Sequence, residues 1–125
     1  MYFSQNSAFC CDFSPADAAF LAAGGDDGHI KIYAVNDAFA EVRKIDIGSA
    51  VMSVKFTPDS KFLASGAEDG VVRIHDVATG GVAVKSFRGH EDYVKSVAFS
   101  SDGALIVSGS DDRTVRVWQV VNGDE

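Results

Sequence analysis

One spacing governs this sequence: Phe13, Phe56 and Phe99 stand 43 residues apart. Each is followed by a short polar turn, Ser14-Pro15, Thr57-Pro58 or Ser100-Ser101. Behind the turn, Phe20-Leu21-Ala22-Ala23-Gly24 aligns with Phe62-Leu63-Ala64-Ser65-Gly66 and with Leu105-Ile106-Val107-Ser108-Gly109, the first copy carrying one extra turn residue. A third block closes each unit: Ile30-Lys31-Ile32-Tyr33, Val72-Arg73-Ile74-His75 and Val115-Arg116-Val117-Trp118. A fixed period in the range of about 20–50 residues marks a repeat architecture, and it overrides the length prior that would make one ordinary domain of 125 residues.

Each block is short, rich in β-branched and aromatic residues, and bounded by Gly, Asp, Pro or Ser, which predicts strands and leaves no helical segment. Asp27-Gly28 and Asp69-Gly70 separate the second and third strands of their units. Asp-Gly accommodates the positive φ angles of a tight hairpin, so these strands are antiparallel neighbours. A fourth, more weakly patterned strand is expected at Ala40 to Ile45 and at Val82 to Arg88, the latter after the turn Thr79-Gly80-Gly81. The unit is therefore a four-stranded antiparallel meander, in an all-β fold.

The motifs resemble the WD-repeat (WD40) β-propeller family. The third unit carries the likeness most fully, with Gly89-His90, then Val94 to Gly103, then Ser108-Gly109-Ser110-Asp111-Asp112-Arg113-Thr114-Val115-Arg116-Val117-Trp118. The other units depart from it: Ile47 stands in the slot of His90, and His75 and Tyr33 stand in that of Trp118. The family's closing Asp is present as Asp76 but replaced by Ala34 and Gln119. The resemblance divides the chain into repeat 1 at about 8–47, repeat 2 at about 48–90 and repeat 3 at about 91–125, the last lacking its outer strand. Met1 to Ser4 and Val121 to Glu125 are too short to complete a blade. Propellers usually have about 4–8 blades. Some three blades form an incomplete propeller, whose two open faces predict that the chain is not a self-sufficient monomer.

His90, Ser108 and Asp112 are the residue types of a hydrolytic triad. The resemblance gives them another role: with Trp118 they form a buried hydrogen-bond chain from the loop histidine through the serine hydroxyl and turn aspartate to the indole N–H, which fixes loop geometry. The second unit keeps Ser65 and Asp69 of this network and the first keeps Asp27, so those blades are expected to be softer. An enzyme is not expected, and a Ser/His/Asp hydrolase is the distant alternative.

Other chemistry finds little support. Gly24-Gly25-Asp26-Asp27-Gly28 lies between strands, with no helix N-terminus and no P-loop lysine, and reads as a hairpin turn. Cys10 and Cys11, the two cysteines, are neighbours in sequence, a poor geometry for a disulfide. Strand alternation points them to opposite faces, which rules out a shared metal site, and Cys11, at the position of Val54 and Val97, is expected in the core. His29 and His75 lack ligand-spaced companions, so neither metal nor cofactor is expected.

Composition narrows the partner. Eleven Lys and Arg against 18 Asp and Glu give a net charge of −7, the wrong sign for tracking phosphates, so direct nucleic-acid binding is not expected. No apolar run approaches a membrane span, no basic leader follows Met1, and reduced thiols fit a cytoplasmic or nuclear, non-secreted protein.

What remains is surface. The resemblance implies peptide or domain recognition through the rim that carries the second-to-third strand turns and the lead-in to each innermost strand. Its lead-in positions are Ser7 and Phe9, Ala50 and Met52, Tyr93 and Lys95; its turn positions are Asp26, Glu68 and Asp111. Acidic turns beside apolar anchors suit a protein segment presenting Lys or Arg next to an apolar side chain. The expected function is a non-catalytic interaction scaffold, with a self-assembling or fragment half-propeller, completed by a second copy, another subunit or further sequence, as the alternative.

Overall fold

The computed structural model describes residues 7–78 and 83–120. Among these residues eleven strands form three antiparallel sheets in chain order. The first holds β1 (Ala8–Phe13), β2 (Phe20–Gly25), β3 (His29–Ala34) and β4 (Ala40–Asp46); the second holds β5 (Val51–Phe56), β6 (Phe62–Ala67), β7 (Val71–Asp76) and β8 (Ala83–Arg88). The third holds β9 (Val94–Phe99), β10 (Leu105–Ser110) and β11 (Val115–Gln119). Among the described residues these are propeller blades, two of four strands and one of three, an incomplete propeller. The outer strands run one residue past expectation at Asp46 and begin at Ala83; the expected turn Thr79-Gly80-Gly81, Val82 and the two chain ends lie outside the described residues. A single 3₁₀ turn, Val35–Asp37, interrupts an otherwise all-β chain among the described residues.

The hairpins explain themselves locally. Only the Gly of each Asp-Gly pair takes a positive φ, 78° at Gly28 and 80° at Gly70, and the third unit puts Arg113 in that slot at 73°. The preceding carboxylate is what repeats: Asp27 Oδ1, Asp69 Oδ1 and Asp112 Oδ1 accept the amides of His29, Val71 and Thr114 at 2.9–3.1 Å. The turns between first and second strands share a second device. Ser14, Thr57 and Ser100 each donate a 2.7 Å hydroxyl bond to Asp17, Asp59 and Asp102, and each accepts the amide that opens the next strand.

Packing repeats with the same period. Strand β5 contacts β1 on one side and β9 on the other, so these are the inner strands. Between the first two blades, Ala22, Ile30 and Ile32 meet Val51, Val54 and Leu63; between the next two, Ala64, Val72 and Ile74 meet Val94, Val97 and Ile106. Each of these is at most 2% exposed, a burial contributing about 1.5–3 kcal/mol for the larger side chains. Polar bonds cross the same seams: the Phe56 amide donates to Asp12 Oδ2 at 2.9 Å and the Val97 amide to Ser53 Oγ at 3.2 Å.

Cys11 departs from expectation. It is exposed, not in the core, although its register against Ala23 matches that of Val54 against Ser65. Val54 and Val97 are buried by the blade before them, and nothing described stands before Cys11. Cys10 is the half-buried one, with its Sγ 3.6 Å from the Gly24 carbonyl and 3.8 Å from that of Val51.

Candidate functional site

The lead-in to each inner strand is tied to the second-to-third strand turn of its own unit by one repeated bond. The amides of Asp26, Glu68 and Asp111 donate to the carbonyls of Ser7, Ala50 and Tyr93 at 2.9–3.0 Å. In the first unit the bond is doubled, because the Ser7 amide donates back to Asp26 Oδ1 at 3.0 Å. Adjacent units also meet here: the Gly28 turn lies against Ser49 and the Gly70 turn against the carbonyls of His90 and Asp92. The acids expected at the turns thus stand beside the expected lead-in residues, unit after unit along one edge.

The remaining lead-in residues share a geometry that alternation did not reveal. Register skips one residue in each inner strand: Ala8 and Cys10 pair with Gly25 and Gly24, Val51 and Ser53 with Ala67 and Gly66, Val94 and Ser96 with Ser110 and Gly109. The skipped residues are Phe9, Met52 and Lys95. A bulge twists the strand and re-aims the extra side chain, a device common beside functional sites. A sequence signal for it exists in the three-residue spacing of the buried pairs Val51/Val54 and Val94/Val97, which a regular strand would not place on one face. Phe9 and Tyr93 are 44% and 39% exposed, Lys95 is exposed, and Met52 and Ala50 are half-buried. Asp26, Asp111 and Ser7 are exposed and Glu68 half-buried.

Behind this edge in the third unit lies the polar network. The Trp118 indole donates to Ser108 Oγ at 2.9 Å, Ser108 Oγ lies 2.7 Å from His90 Nε2, and His90 Nδ1 lies 2.9 Å from Asp112 Oδ2. The order differs from the expected one: the histidine sits between serine and aspartate, and the aspartate closes the chain. An indole can only donate and an ionised carboxylate only accept, so the polarity runs one way, from Trp118 through Ser108 and His90 to Asp112. The Thr114 hydroxyl above all, with the His90 ring and the Glu91 and Thr114 amides, holds Asp112 far below the usual carboxylate range against the opposing effect of desolvation.

These distances are those of a hydrolytic triad, yet Ser108 is 0% exposed and its oxygen already accepts the indole. A nucleophile must reach its substrate, and this one is sealed by Trp118, itself stacked on Phe87 of the blade before with ring centres 5.2 Å apart. The other units use their residues differently. In the second, Ser65 Oγ meets His75 Nε2 at 2.9 Å, while Asp69 turns to Arg73 and pairs with its guanidinium at 2.7 and 3.3 Å. In the first, Asp27 serves its own turn, with His29 Nδ1 3.9 Å away. Among the described residues no group of three His, Cys, Asp or Glu side chains is placed to hold a metal ion, and no helix is long and apolar enough to cross a membrane.

Compared with protein families, the sequence matches the WD domain, G-beta repeat, at residues 3–34, 42–76 and 81–119. The chain belongs to the WD40 repeat family. The three matched segments end with the third strand of each sheet, at Ala34, Asp76 and Gln119, and the second and third take in the outer strand of the sheet before, β4 or β8. No curated protein matches the chain. WD40 repeats generally act as scaffolds for protein–protein interaction, and the family is typically non-catalytic.

Proposed function

We propose that this WD40 chain is a non-catalytic scaffold that captures a protein segment along the rim, by setting its Lys or Arg against the turn carboxylates and an adjoining apolar side chain against the lead-in residues. The observation that carries the reading is the threefold repetition of one arrangement: an acid at Asp26, Glu68 and Asp111, bonded through its amide to the lead-in of its own unit. Phe9, Met52 and Tyr93 supply apolar area beside those acids, and aromatic anchors next to charge are where interfaces concentrate their binding energy. The net charge of −7 favours basic partners at long range. Two free cysteines in adjacent positions suit a reducing compartment, so the scaffold is assigned to the cytoplasm or nucleus.

A peptide panel tests this. Peptides pairing Lys or Arg with a neighbouring Leu or Phe are expected to bind, and to bind more weakly as salt rises, while matched peptides with Glu in place of the base are not. Equal binding of both sets, or of neither, overturns the reading.

A further inference from the structure

The seam between the first two blades opens, at the other end of the strands from the rim, into a groove of about 690 Å³. Its floor is apolar: Phe20, Ile32 and Val42 of the first blade face Phe62 and Val77 of the second. Ile32 and Val77 are buried, both phenylalanines are half-buried, and Val42 is 43% exposed. Val42 is the residue that the register of β3 and β4 skips, since Ile32 pairs with Arg43 and Tyr33 with Glu41. This bulge lets Val42 line the groove together with its neighbour Arg43, which regular alternation would place on the opposite face.

We propose that this groove binds a small organic anion with an apolar body, an alkyl or aryl carboxylate. Its volume falls within the range of about 300–1,000 Å³ typical of small-molecule sites, which set a few polar groups in an apolar lining. Here those groups are mostly cationic. Of the three charged side chains that line the groove, Arg43 and Lys61 are basic, in a chain whose net charge is −7. Arg43 is held in place across the seam: its Nε donates to the Val77 carbonyl at 3.1 Å and its Nη2 to the Ala78 carbonyl at 3.0 Å. Among the described residues Nη1 makes no such bond, and a carboxylate set there gains a charge-assisted hydrogen bond while its apolar body covers the floor. The third charged group, Asp76, is already engaged, its Oδ1 accepting the Ala78 amide at 3.0 Å.

Two comparisons narrow the occupant. The next seam repeats the floor, with Phe62, Ile74 and Val84 in place of Phe20, Ile32 and Val42, yet there Asp59 and Asp102 line the groove with Lys85. Those carboxylates repel an anion, so the site is assigned to the first seam alone. A polypeptide suits the first groove less well than a small molecule. At its edge the Val77 amide donates to the Lys61 carbonyl, the Ala78 amide to Asp76, and the carbonyls of Val77 and Ala78 accept Arg43. A bound segment would leave its own amides and carbonyls unpaired against these groups, a cost that an alkyl chain does not carry.

Calorimetric titration of the full chain with octanoate and with octanol tests the proposal. Octanoate is expected to bind at a single site, more weakly as salt rises, and octanol to bind weaker by about tenfold or more. Lys61→Glu and Val42→Glu, both at exposed positions, are expected to weaken octanoate by about tenfold or more while circular dichroism and the melting curve stay native-like. Arg43→Gln is expected to do the same with a lower melting temperature, because its bonds to Val77 and Ala78 are lost. Lys85→Gln, in the second groove, is expected to leave the titration unchanged. Absence of saturable octanoate binding overturns the proposal. So does octanol bound as tightly as octanoate, binding that survives both Lys61→Glu and Val42→Glu, or binding lost in Lys85→Gln.

Discussion

Ser65 Oγ stands 2.9 Å from His75 Nε2, which makes this pair the second blade's counterpart of the bond between Ser108 and Trp118. Histidine in the tryptophan slot keeps the strand-to-strand bond while giving up the loop histidine. Both residues are buried, so removing the hydroxyl strips a partner from a ring nitrogen that water cannot reach. Ser65→Ala is expected to lower unfolding free energy by about 1–3 kcal/mol, read as a drop in urea midpoint at unchanged slope.

Ser108→Ala is expected to cost more than Ser65→Ala, because one oxygen serves both His90 and Trp118. It is expected to leave any background rate of ester hydrolysis unchanged. A hydrolysis rate lost at unchanged stability would make Ser108 a nucleophile instead.

The aspartates of the turns between first and second strands are expected to contribute to the acid sensitivity of the fold. Hydroxyl donation from Ser14, Thr57 and Ser100, then the amides of Ala19, Lys61 and Ala104, hold Asp17, Asp59 and Asp102 below the ordinary carboxylate range. A carboxylate whose folded pKa is depressed contributes stability that is complete above its unfolded pKa of about 3.9 and is lost as pH falls through that value toward the folded one. As far as these groups act, the urea midpoint is expected to be flat from neutral pH down to about pH 5 and to fall below about pH 4.5. Changing all three to Asn is expected to lower stability at neutral pH and to make the acid limb shallower. An equally steep acid limb in that variant would place the titration elsewhere.

Much of this was legible in the sequence, for a physical reason. Repeat period, strand type and tight turns are local properties, and Phe13, Phe56 and Phe99 mark them directly. Less legible was whatever depends on a neighbour. Alternation sorts Cys10 and Cys11 onto opposite faces but cannot say which face is covered, and Cys11 is exposed because no described blade covers its side. The bulges at Phe9, Met52 and Lys95 hide behind an apparent alternation. His75 looks like a lost tryptophan until its distance to Ser65 is seen.

Glycines at equivalent positions are expected to respond differently. Gly66→Ala drives a Cβ to 2.5 Å from Val94 Cγ1, and a β-branched neighbour has little freedom to yield. A loss of about 1–3 kcal/mol is expected. Gly109→Ala meets nothing within the chain and is expected to leave the single chain's unfolding curve in place. Thermal melts of the two variants side by side make the comparison.

The thiols are also expected to separate. Burial, partly offset by the Gly24 hydrogen bond, pushes Cys10 up to about 11, while Cys11 is exposed. Reactivity belongs to the thiolate, so iodoacetamide at mildly alkaline pH is expected to label Cys11 and spare Cys10, as read by peptide mass spectrometry on dilute protein. Labelling of Cys10 at the rate of Cys11 would contradict its placement against Gly24 and Val51.

The central claim, that the acidic rim holds a basic and apolar segment, is tested most directly by titrating the tightest-binding panel peptide into the wild type and into the variant Asp26→Ala, Glu68→Ala, Asp111→Ala by calorimetry. The account predicts at least a tenfold weaker Kd for the variant, about 1.4 kcal/mol or more, with an unchanged far-ultraviolet spectrum. An unchanged Kd in the folded variant would contradict it.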